Sequence, residues 1–252
     1  MEIVIIGTGN VATVLGRKFR SAKHHILQVV GRNSKAASAL AYEWNTVSTN
    51  YNSPINRNAD IYLVAVTDQA IASVMENIRL PGKVVAHTAA SVPKEILQQV
   101  TTHYGVFYPL QTLRGDSRSI PEIPVFVDGS DELTLKKLNQ LAHSISQENV
   151  IQSTGENREK MHVAAVVVSN FVNHLYKLAQ DYCKKEKLDF DQLLPLIKET
   201  AQRITEMSPA AAQTGPAKRH DEVTIAKHLG LLKQHPQLMN IYQLLTESIE
   251  KS

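Results

Sequence analysis

The stretch Glu2-Ile3-Val4-Ile5-Ile6-Gly7-Thr8-Gly9-Asn10-Val11-Ala12 decides how the rest of the chain is read. Ile3–Ile6 is a short β-branched run of the kind that forms a buried strand. Gly7–Asn10 breaks it. From Val11 to Arg20 the apolar residues Val11, Val14, Leu15 and Phe19 recur at helical spacing. Gly7-x-Gly9-x-x-Ala12 thus sits between a strand and a helix, the context in which G-x-G-x-x-G/A carries meaning. Gly7 permits the tight turn, Gly9 lets a pyrophosphate approach the backbone, and Ala12 lets the helix pack closely on the strand. The N–H groups and positive dipole end of the helix face the phosphates. Gly7, Thr8, Gly9, Asn10, Val11 and Ala12 are therefore expected to hold the pyrophosphate of a dinucleotide.

The next strand, Ile26–Val30, runs into Gly31-Arg32-Asn33-Ser34-Lys35. A carboxylate here would meet the two ribose hydroxyls of NAD, and none is present. The Arg32 guanidinium can lie along the adenine and fork onto a 2′-phosphate. Ser34 and Lys35 add a hydroxyl and a charge at the start of the helix Lys35–Trp44, which Ser34 is expected to cap. Arg32, Asn33, Ser34 and Lys35 thus point to NADP(H) over NAD(H).

Further along, strand-like and helix-like segments keep alternating. Thr46–Ser48, Asp60–Val66, Val84–His87, Gly105–Tyr108 and Val125–Asp128 read as strands. Asp68–Ile78, a helix opened by Pro93 and running to Val100, and Asp131–Ser146 read as helices, with Pro121 and Pro124 marking a loop. Nearly continuous apolar strands in a βαβα rhythm predict an α/β fold, a doubly wound parallel sheet covered on both faces. Near Ile151 the pattern changes. Asn157–Tyr182, Asp189–Met207, Val223–Gln234 and Pro236–Glu250 read as helices, with no further strand. The expected domains are 1–152, α/β, and 153–252, all-α.

Composition excludes several classes. The 27 Lys and Arg against 24 Asp and Glu leave a net charge of +3, spread evenly over the two halves. No basic arm suggests a nucleic-acid partner. Cys183 is the only cysteine, so neither an internal disulfide nor a cysteine-based zinc site is available. No HExxH motif or His–carboxylate cluster suggests a metal. The N-terminus lacks a basic region before its four-residue apolar run, and Met161–Tyr176 carries His162, Asn170, Asn173 and His174. A cytoplasmic protein without a membrane span is expected.

In open α/β sheets ligands bind beyond the carboxyl ends of the strands. Val66 closes the fourth strand and Thr67 and Asp68 follow it, with Val66 and Thr67 expected to contact the cofactor; His87 through Ser91 lie at the end of the fifth strand, and Tyr108-Pro109-Leu110-Gln111-Thr112 at the end of the sixth. Thr67 and His87 are expected to flank the nicotinamide ribose. The helix across Met161–Tyr176 carries an apolar stripe of Ala164, Val168, Phe171, Leu175 and Ala179. Opposite lies an uncharged one of His162, Val166, Ser169, Asn170 and Asn173. Solvated faces carry Lys and Glu, so this face is expected to meet cofactor, substrate or a second subunit, with His162 and Asn170 as candidate contacts. In Thr214-Gly215-Pro216-Ala217-Lys218-Arg219-His220-Asp221, Gly-Pro forms a rigid turn. Asp221 can cap the following helix, and Arg219 is the candidate to bind an anionic group.

These segments together resemble the pyrroline-5-carboxylate reductase and 6-phosphogluconate dehydrogenase-like superfamily, and within it the Rossmann-like plus DUF2520 proteins. The resemblance rests on His87–Ser91, Tyr108–Thr112, His162–Ala165 with Ser169-Asn170, and Thr214-Gly215-Pro216 with Arg219-His220-Asp221. It implies a Rossmann NADP-binding domain, an all-α, 6-phosphogluconate dehydrogenase C-terminal-like domain, and a homodimer formed through the latter. The chain departs from the family pattern at Tyr108, where a His precedes Pro-Leu-Gln, and at His220, where Arg-Gly-Asp is usual. The lysine of the β-hydroxyacid dehydrogenase branch is also absent, Val166 standing near its position.

The expected activity is hydride transfer between NADP(H) and a small C=O or C=N substrate held between the domains. His87, His162, Asn170 and Arg219 are the candidate catalytic residues. A non-catalytic NADP-binding redox sensor or scaffold, or an inactive paralogue of pyrroline-5-carboxylate reductase, is the alternative.

Overall fold

The computed structural model describes residues 1–116 and 122–252; the expected loop position Pro121 lies outside them. The chain divides into two compact units, Met1–Val167 and Val168–Ser252.

In the first unit, eight strands form one sheet: β1 (Glu2–Ile6), β2 (His25–Val30), β3 (Val47–Thr49), β4 (Ile61–Val64), β5 (Val84–His87), β6 (His103–Pro109), β7 (Val125–Gly129) and β8 (Val150–Gln152). Their order is β3-β2-β1-β4-β5-β6-β7-β8. The reversal of direction of winding at β1 leaves a crevice at the carboxyl ends of β1 and β4, where doubly wound folds bind ligands.

Side-chain alternation builds a core on each face. Ile3, Ile5, Ile61 and Leu63 meet α1 (Asn10–Ser21) and α2 (Ser34–Trp44) through Leu15, Phe19, Leu40 and Trp44. Val4, Ile6, Tyr62 and Val64 meet α3 (Ile71–Met75) through Ile71 and Met75. Farther along the first face, α4 (Glu132–His143) adds Leu138 and Leu141.

Four local expectations are corrected. The sheet is not wholly parallel: β7 runs against β6, from Gly105 opposite Gly129 to Pro109 opposite Val125. The Leu110 N–H donates to the Pro124 carbonyl at 2.8 Å, so the chain re-enters the sheet at the end it left, and no crossover helix is needed. β8 lies where no strand was expected; it is three residues long and half-exposed, too short for a sequence signal. The helices expected over 68–78 and 93–100 shrink to a 3-10 turn Asp68–Ala70 with α3, and to a 3-10 turn Lys94–Leu97. Asn33, not Ser34, caps α2, because its side-chain oxygen accepts from the Ala36 N–H at 3.0 Å.

Helix α5 (Gly155–Ala165), capped by Thr154, lies beyond the sequence boundary at 152 and within the first compact unit. Its Arg158 is the reason. The side chain is 2% exposed, and it donates to the Ala90 carbonyl at 2.7 Å and the Val92 carbonyl at 3.0 Å.

A π-helical turn, Val166–Phe171, divides the single helix expected over 157–182. The second unit then holds α6 (Val172–Lys185), α7 (Leu194–Arg203), the short α8 (Pro209–Ala212), α9 (Glu222–Leu231) and α10 (Pro236–Glu250). Asp221 caps α9 as expected, accepting from the Thr224 N–H at 3.0 Å. Among this unit's apolar side chains only Leu178, Cys183, Ala217 and Leu232 are buried; Val168, Phe171, Leu196, Val223, Leu231 and Leu244 are all more than half exposed. No helix among the described residues is long and apolar enough to cross a membrane.

Candidate functional site

A cavity of about 680 Å³ lies over the crevice at the ends of β1 and β4. Gly7, Thr8, Gly9, Asn10 and Val11 form its floor, Arg32 and Asn33 one side, and Val66, Thr67 and Asp68 the other.

The two glycines act differently. Gly7 has φ +134°, and a Cβ there would stand 2.0 Å from the Ala65 carbonyl oxygen. Only glycine fits this turn against the end of β4. Around Gly9 a Cβ would meet nothing within 4 Å, so Gly9 faces open space at the mouth of α1. Helix α1 has no acidic residue in its first turn, and its leading N–H groups are free to meet an anion. Ala12, fully buried, packs the helix on the sheet and does not line the cavity. The Asn10 side-chain oxygen accepts from the Gly115 N–H at 3.1 Å, which brings the loop after β6 beside the phosphate turn.

At the end of β2, Arg32 and Asn33 line the cavity; Ser34 and Lys35 are exposed and do not. Asn33 spends its side-chain oxygen on the cap of α2, and among the described residues lining the cavity Arg32 is the one cation. The donor set of free helix N–H groups, a glycine-floored turn and an arginine without an opposing carboxylate on its strand fits a phosphorylated dinucleotide. The sequence reading missed Tyr51, Asn52, Ser73 and Asn77, which also line the cavity. Tyr51 and Asn52 follow β3 at the same rim, so the strand-end rule applied one strand further would have found them.

His87 ends β5, but its ring is wholly buried and does not reach the cavity. The Ala89 N–H donates to its Nδ1 at 3.2 Å, which places the ring proton on Nε2. Burial first and the Arg158 charge second hold the ring's pKa down at about 4, against the Pro93 carbonyl and the Asp128 carboxylate. His87 is a neutral ring at physiological pH.

The structure does bring His162 to a strand end. Its Nδ1 lies 2.9 Å from the hydroxyl of Tyr108, the penultimate residue of β6, with the rings edge to face at 5.9 Å. Burial raises the Tyr108 pKa, as does the nearby Asp68 carboxylate, while Arg158 lowers it. Asn170 and Arg219 belong to the second unit, where both are exposed. No cluster of His, Cys, Asp and Glu among the described residues could hold a metal ion.

Residues 2–91 match the family described as NADP oxidoreductase, coenzyme F420-dependent, and residues 123–249 match DUF2520, a domain of unknown function. A Bacteroides fragilis protein described as a "putative NADP oxidoreductase" is 36% identical, with a TM-score of 0.89 over 100% of this chain and 98% of that one. Two others share the fold at 13% identity. A reductive aminase from Aspergillus terreus, in complex with NADPH and ethyl levulinate, has a TM-score of 0.72 over 100% of this chain and 94% of its own. A 1-pyrroline-5-carboxylate reductase from Streptococcus pyogenes has a TM-score of 0.66 over 100% and 99%. Comparison with curated proteins finds no match. The chain belongs to the family that joins an NADP oxidoreductase-type Rossmann unit to a DUF2520 domain.

Proposed function

We propose that this protein reduces or oxidises a small C=O or C=N substrate with NADP(H), in the manner of a pyrroline-5-carboxylate reductase or a reductive aminase. One observation carries the reading: the glycine-floored cavity at the ends of β1 and β4 meets Arg32, and no carboxylate, at the end of β2. The Gly7–Val11 turn and the start of α1 hold the pyrophosphate, and Arg32 takes the 2′-phosphate. Val66 and Thr67 line the side of the cavity toward β4 and β5, where the nicotinamide end lies once the adenosine end is fixed over β2. The bound cofactor supplies the hydride; the protein supplies orientation and a proton.

The second unit supports a homodimer. Eighty-five residues with four buried apolar side chains do not offset the conformational entropy of folding, and exposed apolar surface of this extent calls for a cover. A second copy of the same helices is the cover we infer. Light scattering at micromolar concentration tests it, and a monomer refutes it. One buried free cysteine and the lack of a membrane-crossing helix among the described residues suit the cytoplasm.

The test of the main reading is a titration with NADPH and NADH followed by nicotinamide fluorescence. NADPH should bind at least about tenfold tighter, and Arg32→Ala should erase that preference, since a charge-assisted fork is being removed. Equal affinity for the two nucleotides, or none for either, refutes it. Tight binding without oxidation of NADPH by any imine or keto acid turns the reading to a sensor or scaffold.

A further inference from the structure

The pair formed by Tyr108 and His162 has no part in holding the dinucleotide, since neither residue lines the cavity. Its place in the fold suggests what it does. With Arg32 at the end of β2 and the pyrophosphate turn after β1, the dinucleotide crosses the rim from β2 toward β4, β5 and β6. Neighbouring strands are ~4.8 Å apart, so the end of β6 lies about 10 Å along the rim from the end of β4. The field of Asp68, a wall of the cavity, reaches the Tyr108 hydroxyl.

The chemistry needs a group there. Hydride addition to C=N or C=O leaves an electron pair on nitrogen or oxygen that must take a proton. Among the described residues, the titratable groups lining the cavity are Arg32, Tyr51 and Asp68. Arg32 and Tyr51 stand on the β2–β3 side, far from the nicotinamide end, and an ionised Asp68 accepts protons without donating one. At the next strand end His87 is buried and neutral. The end of β6 follows, with a phenol hydrogen-bonded to an imidazole that is itself half-exposed and open to solvent.

Resting on the oxidoreductase reading above, we propose that Tyr108 is the acid that protonates the substrate heteroatom, and that His162 holds the phenol in place and restores its proton. The carbon of the C=N or C=O group receives the hydride pair, and the π pair moves to nitrogen or oxygen. That atom takes the Tyr108 proton as the phenol O–H bond breaks. The resulting phenolate recovers a proton from Nδ1–H of the His162 cation, and the neutral imidazole is reprotonated from solvent. Substrate, NADPH and one proton are consumed; reduced product and NADP⁺ leave. The phenol keeps its proton until that moment because burial and the Asp68 charge oppose the phenolate. Among the described residues, the titratable groups facing the hydroxyl are Asp68, from the turn after β4, and Arg158 and His162, both from α5; Phe126 packs against the ring from β7 without a charge.

The test compares the full-length protein with Tyr108→Phe and His162→Gln, using saturating NADPH with 1-pyrroline or pyruvate as probes. It adds ring-nitrogen NMR of His162 in the nucleotide-free protein. Tyr108→Phe should bind NADPH within about twofold of the parent and lose hydride transfer by about 100-fold or more, the usual contribution of a general acid. The His162 Nδ1 signal should leave its hydrogen-bonded position. His162→Gln, whose amide can still hold the hydroxyl, should lose about tenfold in hydride transfer while binding NADPH within about twofold of the parent. Tyr108→Phe retaining a third of the parent rate overturns the acid role, as does an NADPH affinity that falls in step with the rate. A His162 Nδ1 signal unmoved by Tyr108→Phe overturns the pairing itself. A parent protein that binds NADPH but reduces neither probe overturns the reaction, and the dyad's role with it. A parent that reduces a probe, with Tyr108→Phe retaining a third of that rate or more, overturns the dyad alone.

Discussion

Acidification should destabilise the first unit through His87. In an unfolded chain a histidine titrates near ~6.5; in the fold the ring, buried and facing Arg158, does so at about 4. Between those values the unfolded chain holds a proton that the native protein refuses, so stability rises with pH across the window. The contribution is whole above ~6.5 and gone below ~4. Roughly 2.5 pH units at ~1.36 kcal/mol each give about 3 kcal/mol. The ring is wholly buried, so solvent screening does not reduce it. Trp44 is the only tryptophan and, at the end of α2, is buried in the core of the first unit, so its fluorescence during urea unfolding follows that unit specifically. His87→Gln removes the titration while keeping a polar side chain. The parent's advantage over His87→Gln should shrink by about 3 kcal/mol from pH 7 to pH 4. A difference constant to within about 0.5 kcal/mol, the usual error of such cycles, would refute the reasoning, as would a His87 ring signal in NMR titrating near 6.5.

Three further outcomes are expected. Gly7→Ala drives a Cβ to 2.0 Å from the Ala65 oxygen at φ +134°; it should cost at least ~2 kcal/mol and abolish NADPH binding, and a variant that still binds would mean the turn is not the phosphate site. Arg158→Met leaves the Ala90 and Val92 carbonyls without their donor; it should cost about 3–5 kcal/mol in Trp44-monitored unfolding and let the His87 ring titrate higher, since the Arg158 charge helps hold it down. Asp131 caps α4 and also accepts from Ser130 and Thr134 and pairs with His103. These bonds outweigh burial and lower its pKa, so the stability it gives is present above the unfolded carboxylate value of ~3.9 and lost as pH falls below it. Asp131→Ala should cost about 1–2 kcal/mol at pH 7 and progressively less in acid; an unchanged cost at pH 2 would refute this.

What the sequence disclosed was local. The turn at Gly7–Ala12 is legible because strand, turn and helix follow one another within a dozen residues. Helix α10 has the expected bounds, Pro236–Glu250, because proline opens helices and can be read in place. The direction of β7 was not legible, since an apolar run looks the same whichever way its neighbour points. The partnership of Tyr108 with His162 spans 54 residues, and neither residue alone announces it. His87 shows the same limit: a histidine at a strand end reads alike as a ligand contact or as a buried ring, and only its neighbours decide.

Several of these surprises have one physical origin. The segment after β5 was expected to become a helix from Pro93, which would have satisfied its backbone internally. It forms only the 3-10 turn Lys94–Leu97, and the approach to that turn leaves the carbonyls of Ala90 and Val92 pointing into the protein. Buried carbonyls need donors, and the Arg158 guanidinium provides them from α5. An arginine in a helix reads from sequence as a surface charge, so neither its burial nor the docking of α5 on the α/β unit was foreseeable. Once buried, that charge acts on two neighbours. It adds to the burial that keeps the His87 ring neutral, and it moderates the rise of the Tyr108 pKa caused by burial and Asp68. Arg158 thus contributes to the docking of α5, to the neutrality of His87 and to the Tyr108 pKa, so Arg158→Met should disturb all three together.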